Sequence, residues 1–168
     1  VIKHHLGKEL EEYVAKRFCA KTGKKVQRLN ATQFHPKYPF LGATLDRVVI
    51  GEDALLECKT CSAWKTKEWA GEDIPLEYIV QVNHQLLVTG KQLGYIAVLI
   101  GNQEFKYKEI KRDEKVLANM LAKLVAFWTT FVEPKVMPLQ ITKYDSDILN
   151  TLFPNADPEN AIDLTDDA

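Results

Sequence analysis

Asp46 and, beyond ten intervening residues, Glu57-Cys58-Lys59 are the residues of this 168-residue chain whose types and spacing could do chemistry. Side chains alternate faces along a β-strand, so Glu57 and Lys59 share a face roughly 6–7 Å apart while Leu56 and Cys58 take the other. A hairpin pairing the two stretches sets Asp46 beside Glu57, and two carboxylates held together are a ready site for a hard divalent cation. An amine beside them offsets their repulsion, orients an attacking water and stabilises charge growing on a phosphate. The same spacing also arises by chance in charged proteins, and the plain alternative is an exposed hairpin face with an ordinary Glu–Lys pair. Leu45, Val48, Val49, Ile50, Leu55 and Leu56 argue against that alternative. They make both strands read as buried on both faces, where a bare charge is costly unless it is paired or binds a metal.

The elements that must position these groups follow from periodicity and breakers. A helix is predicted over residues 8–21, with Leu10, Tyr13, Val14 and Phe18 on its apolar stripe and Gly23 as its stop. Glu11 falls on or beside that stripe and is a candidate further ligand for a metal or its water; a boundary carboxylate reaching solvent is the alternative. Glu12 faces out, where Lys16 is four residues away. A short strand over 24–29 and an irregular loop over 30–41, with Pro36 and Pro39, come next. Strands over 43–50 and 54–60 read as a hairpin joined by Gly51-Glu52-Asp53. Residues 62–75 read as an exposed loop or lid, 76–89 as a helix ending at Gly90, 94–100 and 103–110 as a second hairpin, and 113–132 as a long helix stopped by Pro134. Helix, strands, helix, strands, helix points to an α/β (α+β) fold: a central mixed β-sheet flanked by α-helices.

Composition bounds the reading. Hydrophobic residues make up 46% and charged residues 27%, the mix of a globular domain rather than a disordered or fibrous chain, and the length suits one core with a short appendage. The longest uninterrupted apolar run, Ile96 to Ile100, is far too short to cross a bilayer. No basic-then-apolar leader opens the chain, and three cysteines do not complete a disulfide framework. A cytoplasmic protein with no membrane partner is the expectation. All 22 Lys and Arg lie at or before Lys143, whereas seven of the 23 Asp and Glu follow it. The expected division is therefore a basic catalytic domain over 1–143, suited to a polyanion, and an acidic, flexible tail over 144–168.

Several stretches taken together resemble a known family. They are Gly7-Lys8-Glu9-Leu10-Glu11 opening a helix, Asp46, Leu56-Glu57-Cys58-Lys59, Tyr78-Ile79-Val80-Gln81-Val82-Asn83-His84-Gln85 running to Val88-Thr89-Gly90, and Arg112-Asp113-Glu114-Lys115. In order and spacing, over about residues 6–132, they are similar to the YqaJ-type phage recombinase family, the lambda-exonuclease-like branch of the PD-(D/E)xK nucleases. The resemblance implies a restriction-endonuclease-like core and hydrolysis of DNA phosphodiesters. It implies that Asp46, Glu57 and the Cys58 carbonyl ligate Mg²⁺ (with Mn²⁺ able to substitute), that Lys59 positions the nucleophilic water, that Glu11 supports a second metal or its water, and that Gln81 holds the lysine, water or scissile phosphate. It further implies a 5′ to 3′ exonuclease on linear duplex DNA, a single-strand annealing protein as partner, and a homo-oligomer such as a ring trimer. Two departures stand out. Ala43-Thr44-Leu45-Asp46-Arg47 replaces the family's Ser-Pro-Asp-Gly, and the Glu11 helix begins almost at Val1, so the family's upstream 5′-phosphate-binding segment is expected to be either absent or removed. An endonuclease or resolvase of the same fold, or an inactive DNA-binding or assembly module, remain as rivals.

Other residues take plainer readings. Cys58 and Cys61 form a C-x-x-C, but a cluster or structural zinc needs four ligands and Cys19 is the one other cysteine. His84 reads as a helix-surface histidine, and Phe127, Trp128 and Phe131 as core or subunit interface. Trp64, Lys65, Lys67 and Trp69 mix aromatic and basic groups just after Lys59. They fit either a segment that stacks on an unpaired base or a loop anchored by one tryptophan.

Overall fold

A computed structural model describes residues 2–138, apart from residues 72 and 102. Helix α1 (Ile2–Thr22) ends where the left-handed Gly23 (φ +72°) returns its N–H to the Cys19 carbonyl at 2.8 Å. Five strands follow in the main sheet: β1 (Val26–Arg28), β4 (Arg47–Val49), β5 (Ala54–Cys61), β6 (Leu93–Ile100) and β7 (Glu104–Lys111), in that spatial order. Strands β2 (Gln33–Phe34) and β3 (Gly42–Ala43) form a separate two-stranded ribbon. β5 and β6 pair in parallel and every other neighbouring pair of the main sheet is antiparallel. Parallel neighbours need a crossover, and helix α2 (Leu76–Thr89) supplies it. β6 is buried on both faces, which accounts for its unbroken apolar run. The expectation of a mixed sheet flanked by helices is borne out.

Two layers enclose the sheet. On one face Val14, Ala15 and Phe18 of α1 pack on Val49, Ala54, Leu56, Tyr95, Ala97 and Leu99. On the other, Ile96, Val98 and Ile100 meet Trp69 and Tyr78, and Val82 lies close over Gly94. Alternation along β5 therefore sends Leu56 and Cys58 toward α1, and Glu57 and Lys59 toward α2.

Three differences from the sequence reading matter. The expected strand over 43–50 is split, because its first part pairs with β2 inside the stretch read as irregular loop, and only Arg47–Val49 joins β5. Hydrogen bonds from α2 hold the intervening backbone: the Gln85 amide donates to the Thr44 carbonyl at 3.1 Å, and His84 Nε2 lies 3.1 Å from the Gly42 carbonyl. The expected lid contains a 3₁₀ helix, Ala63–Trp69, rather than open loop. The last helix runs as α3 (Glu114–Phe127) and continues as a π-helical turn, Trp128–Val132. On length and composition, residues 114–132 would suffice to cross a membrane, a feature that counting uninterrupted apolar runs misses because Lys123 breaks the run. Leu117 of this helix is nevertheless buried. The sheet, α1 and α2 lie in the first of two compact units, Val1–Lys123; the second is Leu124–Ala168. The acidic tail expected over 144–168 lies outside the described residues.

Gly94 is the tightest point of the crossover, since a Cβ there would meet Val82 Cγ1 at 2.3 Å. Val82 is fully buried and β-branched, so it has no soft rotamer into which to retreat. Gly94→Ala is expected to lower stability by about 1–3 kcal/mol in urea denaturation, and adding Val82→Ala to recover part of that loss relative to Val82→Ala alone. An undisturbed midpoint for Gly94→Ala would contradict this packing.

Candidate active site

The site forms where β5 outruns its neighbour. β4 has three residues and β5 eight, with Arg47 opposite Leu56 and Val48 opposite Leu55. One step further the register sets Asp46 opposite Glu57, at the point where β4 begins. Asp46 does not continue the ladder. Its Oδ2 accepts the Cys58 N–H at 2.8 Å, so the side chain takes the place of a strand partner. The two carboxylates thus come together where β4 begins.

Glu57 is 4% exposed, and its carboxylate is gripped from three directions. Gln81 Nε2 donates to Oε1 at 2.6 Å, Lys59 Nζ lies 2.8 Å from the same oxygen, and Gln85 Nε2 donates to Oε2 at 2.7 Å. Lys59 Nζ also donates to Gln81 Oε1 at 2.8 Å, closing a ring of Glu57, Gln81 and Lys59, and it lies 5.0 Å from the centre of the Tyr78 ring. Gln81 and Gln85 are one helical turn apart on α2 and so share a face.

Asp46 carries the electrostatic load. Burial, and then the negative charge of Glu57, push its carboxyl up to about 6, against the opposing Cys58 N–H bond and the positive charge of Lys59. Two neighbouring carboxylates, one half-buried and one buried, with a single lysine on Glu57 are short of positive charge, and oxygen donors of this kind suit Mg²⁺ or Mn²⁺. Burial also keeps the Cys58 thiol protonated by pushing it upward, so the side chain of Cys58 is inert.

The structure brings Asp46, Glu57, Lys59, Gln81 and the Cys58 backbone together, and it places Glu11 differently from the expectation of a third metal-binding carboxylate. Glu11 Oε1 accepts from Arg47 Nη1 at 2.5 Å and from Arg28 Nη2 at 3.3 Å. Among the described residues no three Asp, Glu, His or Cys side chains are grouped to hold a metal. The cause is Arg47. It is buried, its Nη2 donates to Glu12 Oε2 at 2.8 Å, and its Nη1 donates to the Asp46 carbonyl at 2.6 Å. A buried guanidinium must be paired, and Glu11 and Glu12 pair it. Glu12, read as facing outward to Lys16, keeps that partner at 3.7 Å while also serving Arg47. His84, read as a surface histidine, meets the Gly42 carbonyl.

Gln85 is the residue whose role the sequence reading missed. It is 3% exposed, and its Oε1 has no hydrogen-bond partner among the described residues. The available signal was its four-residue spacing from Gln81 on a helix that crosses the Glu57 strand.

This fold is shared with solved exonucleases. An alkaline exonuclease, LHK-Exo, from Laribacter hongkongensis superposes with a TM-score of 0.71 over 89% of this chain and 75% of that one, at 23% identity. The same enzyme in complex with dAMP gives 0.67 over 74% and 66%, at 26% identity. A phage-related exonuclease from Haemophilus somnus 129PT gives 0.54 over 70% and 65%, at 15% identity. The family model described as the YqaJ-like viral recombinase domain matches residues 3–92, a span that includes Glu11, Asp46, Glu57, Lys59, Gln81 and Gln85. The chain belongs to the YqaJ-like viral recombinase family. It is 42% identical over 164 residues to the uncharacterized protein YqaJ of Bacillus subtilis (strain 168), covering 96% of this chain and 51% of that protein, so it spans about half the length of that relative.

The raised Asp46 value has a thermodynamic consequence. A carboxyl that is harder to ionise in the folded state lends stability below about pH 4 and loses it as pH rises through about 6. Without divalent cations, Asp46→Asn is therefore expected to be more stable than the parent at pH 8, by about 2–3 kcal/mol, with the advantage shrinking toward pH 4. Chemical denaturation at both pH values in EDTA checks this; an advantage that does not depend on pH would contradict the electrostatic reading.

Proposed function

We propose that this domain is a metal-dependent deoxyribonuclease that degrades linear duplex DNA from its ends. One observation carries the reading: half-buried Asp46 stands beside buried Glu57, with Lys59 hydrogen-bonded between Glu57 and Gln81. Membership of a viral recombinase family and the fold shared with exonucleases support DNA as substrate and end-directed degradation as the mode.

Asp46, Glu57 and the Cys58 carbonyl would hold Mg²⁺ or Mn²⁺. When bound, the cation lowers the pKa of water and neutralises charge on the scissile phosphate. The protein's own groups set the geometry. Glu57 is fixed by the two glutamines, so its free lone pairs keep one direction. Lys59 is steered by Gln81 and bonded to Glu57, from where its Nζ can orient an incoming water and donate to phosphate oxygen. Gln81 links the two and moves neither without the other. Glu11 acts at one remove, by fixing Arg47 and through it the backbone of Asp46. The polarity we propose is 5′ to 3′, as the family resemblance implies.

Glu57→Ala or Lys59→Ala is expected to lower Mg²⁺-dependent degradation of linear duplex by a factor on the order of 10²–10³ or more, with an unchanged circular dichroism spectrum. Substrates end-labelled at the 5′ or 3′ terminus report polarity, and closed circular duplex is expected to survive. Parent-like activity in either variant would discard the mechanism. Cleavage of closed circles would replace the exonuclease with an endonuclease.

A further inference from the structure

Trp64 is 93% exposed, the most exposed large apolar side chain among the described residues, yet it stands on a well-anchored segment. Its 3₁₀ helix, Ala63–Trp69, follows β5 directly, so Trp64 is five residues beyond Lys59 and its Cα lies within about 17 Å of the lysine's. The far end is fixed by Trp69, fully buried and stacked on Tyr78 with ring centres 5.6 Å apart. Tyr78 is the same ring that faces Lys59 Nζ. Two lysines of β7, Lys106 and Lys108, donate to the Trp69 carbonyl at 3.1 and 3.4 Å. The near end is fixed where Ala63 lies against Gly101, at which a Cβ would approach the Ala63 Cβ to 2.8 Å. Thr66 Oγ1 closes the turn by donating to the Ala63 carbonyl at 2.6 Å.

Leaving an indole in water forgoes the gain from burying it, on the order of 2–3 kcal/mol. Here it is held out on a rigid mount beside exposed Lys65 and Lys67, of which Lys65 pairs with Glu68 at 3.4 Å. A planar π-face next to cationic side chains is what a nucleobase and its phosphate engage. We propose that Trp64 is a stacking platform for an unpaired base of the DNA strand beside the cleavage site. The proposal rests on the nuclease reading, and it adds single-stranded character as the feature recognised.

Binding in EDTA separates recognition from hydrolysis. The probes are a blunt duplex, the same duplex with a short single-stranded tail, and oligo(dT). The difference emission between the parent and Trp64→Phe isolates the exposed indole, and it is expected to be quenched by tailed duplex and oligo(dT). Trp64→Ala is expected to weaken binding of these two probes roughly 5- to 150-fold, and Trp64→Phe much less. Tight binding by Trp64→Ala equal to the parent's, with DNA degradation intact in the parent, would overturn the platform and leave the nuclease standing. A parent that neither binds nor degrades DNA would overturn both. Trp64 emission that shifts to the blue with protein concentration alone would assign the indole to contact between copies and overturn the proposal.

Discussion

Two carboxylates, half-buried Asp46 and buried Glu57, stand together where β4 begins, and much of the surrounding structure serves to tolerate that repulsion. Burial and a like charge both work against ionising Asp46, and they win over the single amide bond and the lysine that favour it. The arrangement survives because three donors hold Glu57 and still leave it a lone pair free for a cation. A buried charge with such partners is tolerated where a bare one is not. Stability is thereby sacrificed locally for a site that favours a cation, a common pattern at functional centres.

The crossover helix is the means. Parallel pairing of β5 with β6 compels a connection over one face of the sheet, and the side chains that alternation turns to that face are Glu57 and Lys59. A helix passing there can present residues one turn apart to them, which is what Gln81 and Gln85 are. The opposite helix works through a different partner. α1 sends Glu11 and Glu12 to the guanidinium of Arg47, whose own donor reaches the carbonyl of Asp46. Arg47 is buried and must keep an acceptor, so the α1 carboxylates support the site without touching it.

Much of this was legible in the sequence. Period-two alternation around Glu57 and Lys59 gives their common face, and the gap from Asp46 to Glu57 suits a short reversal, so the pair and its lysine follow from residue type and spacing. The helix ending at Gly90 and the doubly buried β6 follow from periodicity and breakers. What was not legible depends on contacts between distant segments. Glu11 lies on the predicted face of its helix, but its partner was decided by Arg47, thirty-six residues away, and no spacing rule foresees which of two nearby attractions prevails. The break of the strand at Thr44 is set by Gln85 in the same way. For the segment after β5 the sequence allowed either a stacking surface or a loop anchored by one tryptophan; that Trp69 is the buried one and Trp64 the exposed one is a tertiary fact.

The claim on which the account rests is that Asp46 and Glu57 jointly hold a divalent cation. Calorimetric titration of the apoprotein with Mn²⁺ and with Mg²⁺, in buffers of differing ionisation enthalpy at pH 5.5 and pH 8, tests it most directly. Binding that releases most of a proton at the lower pH and almost none at the higher, and that disappears in both Asp46→Asn and Glu57→Gln, is the expected result. Binding that persists in either variant, or no binding at pH 8, would contradict it.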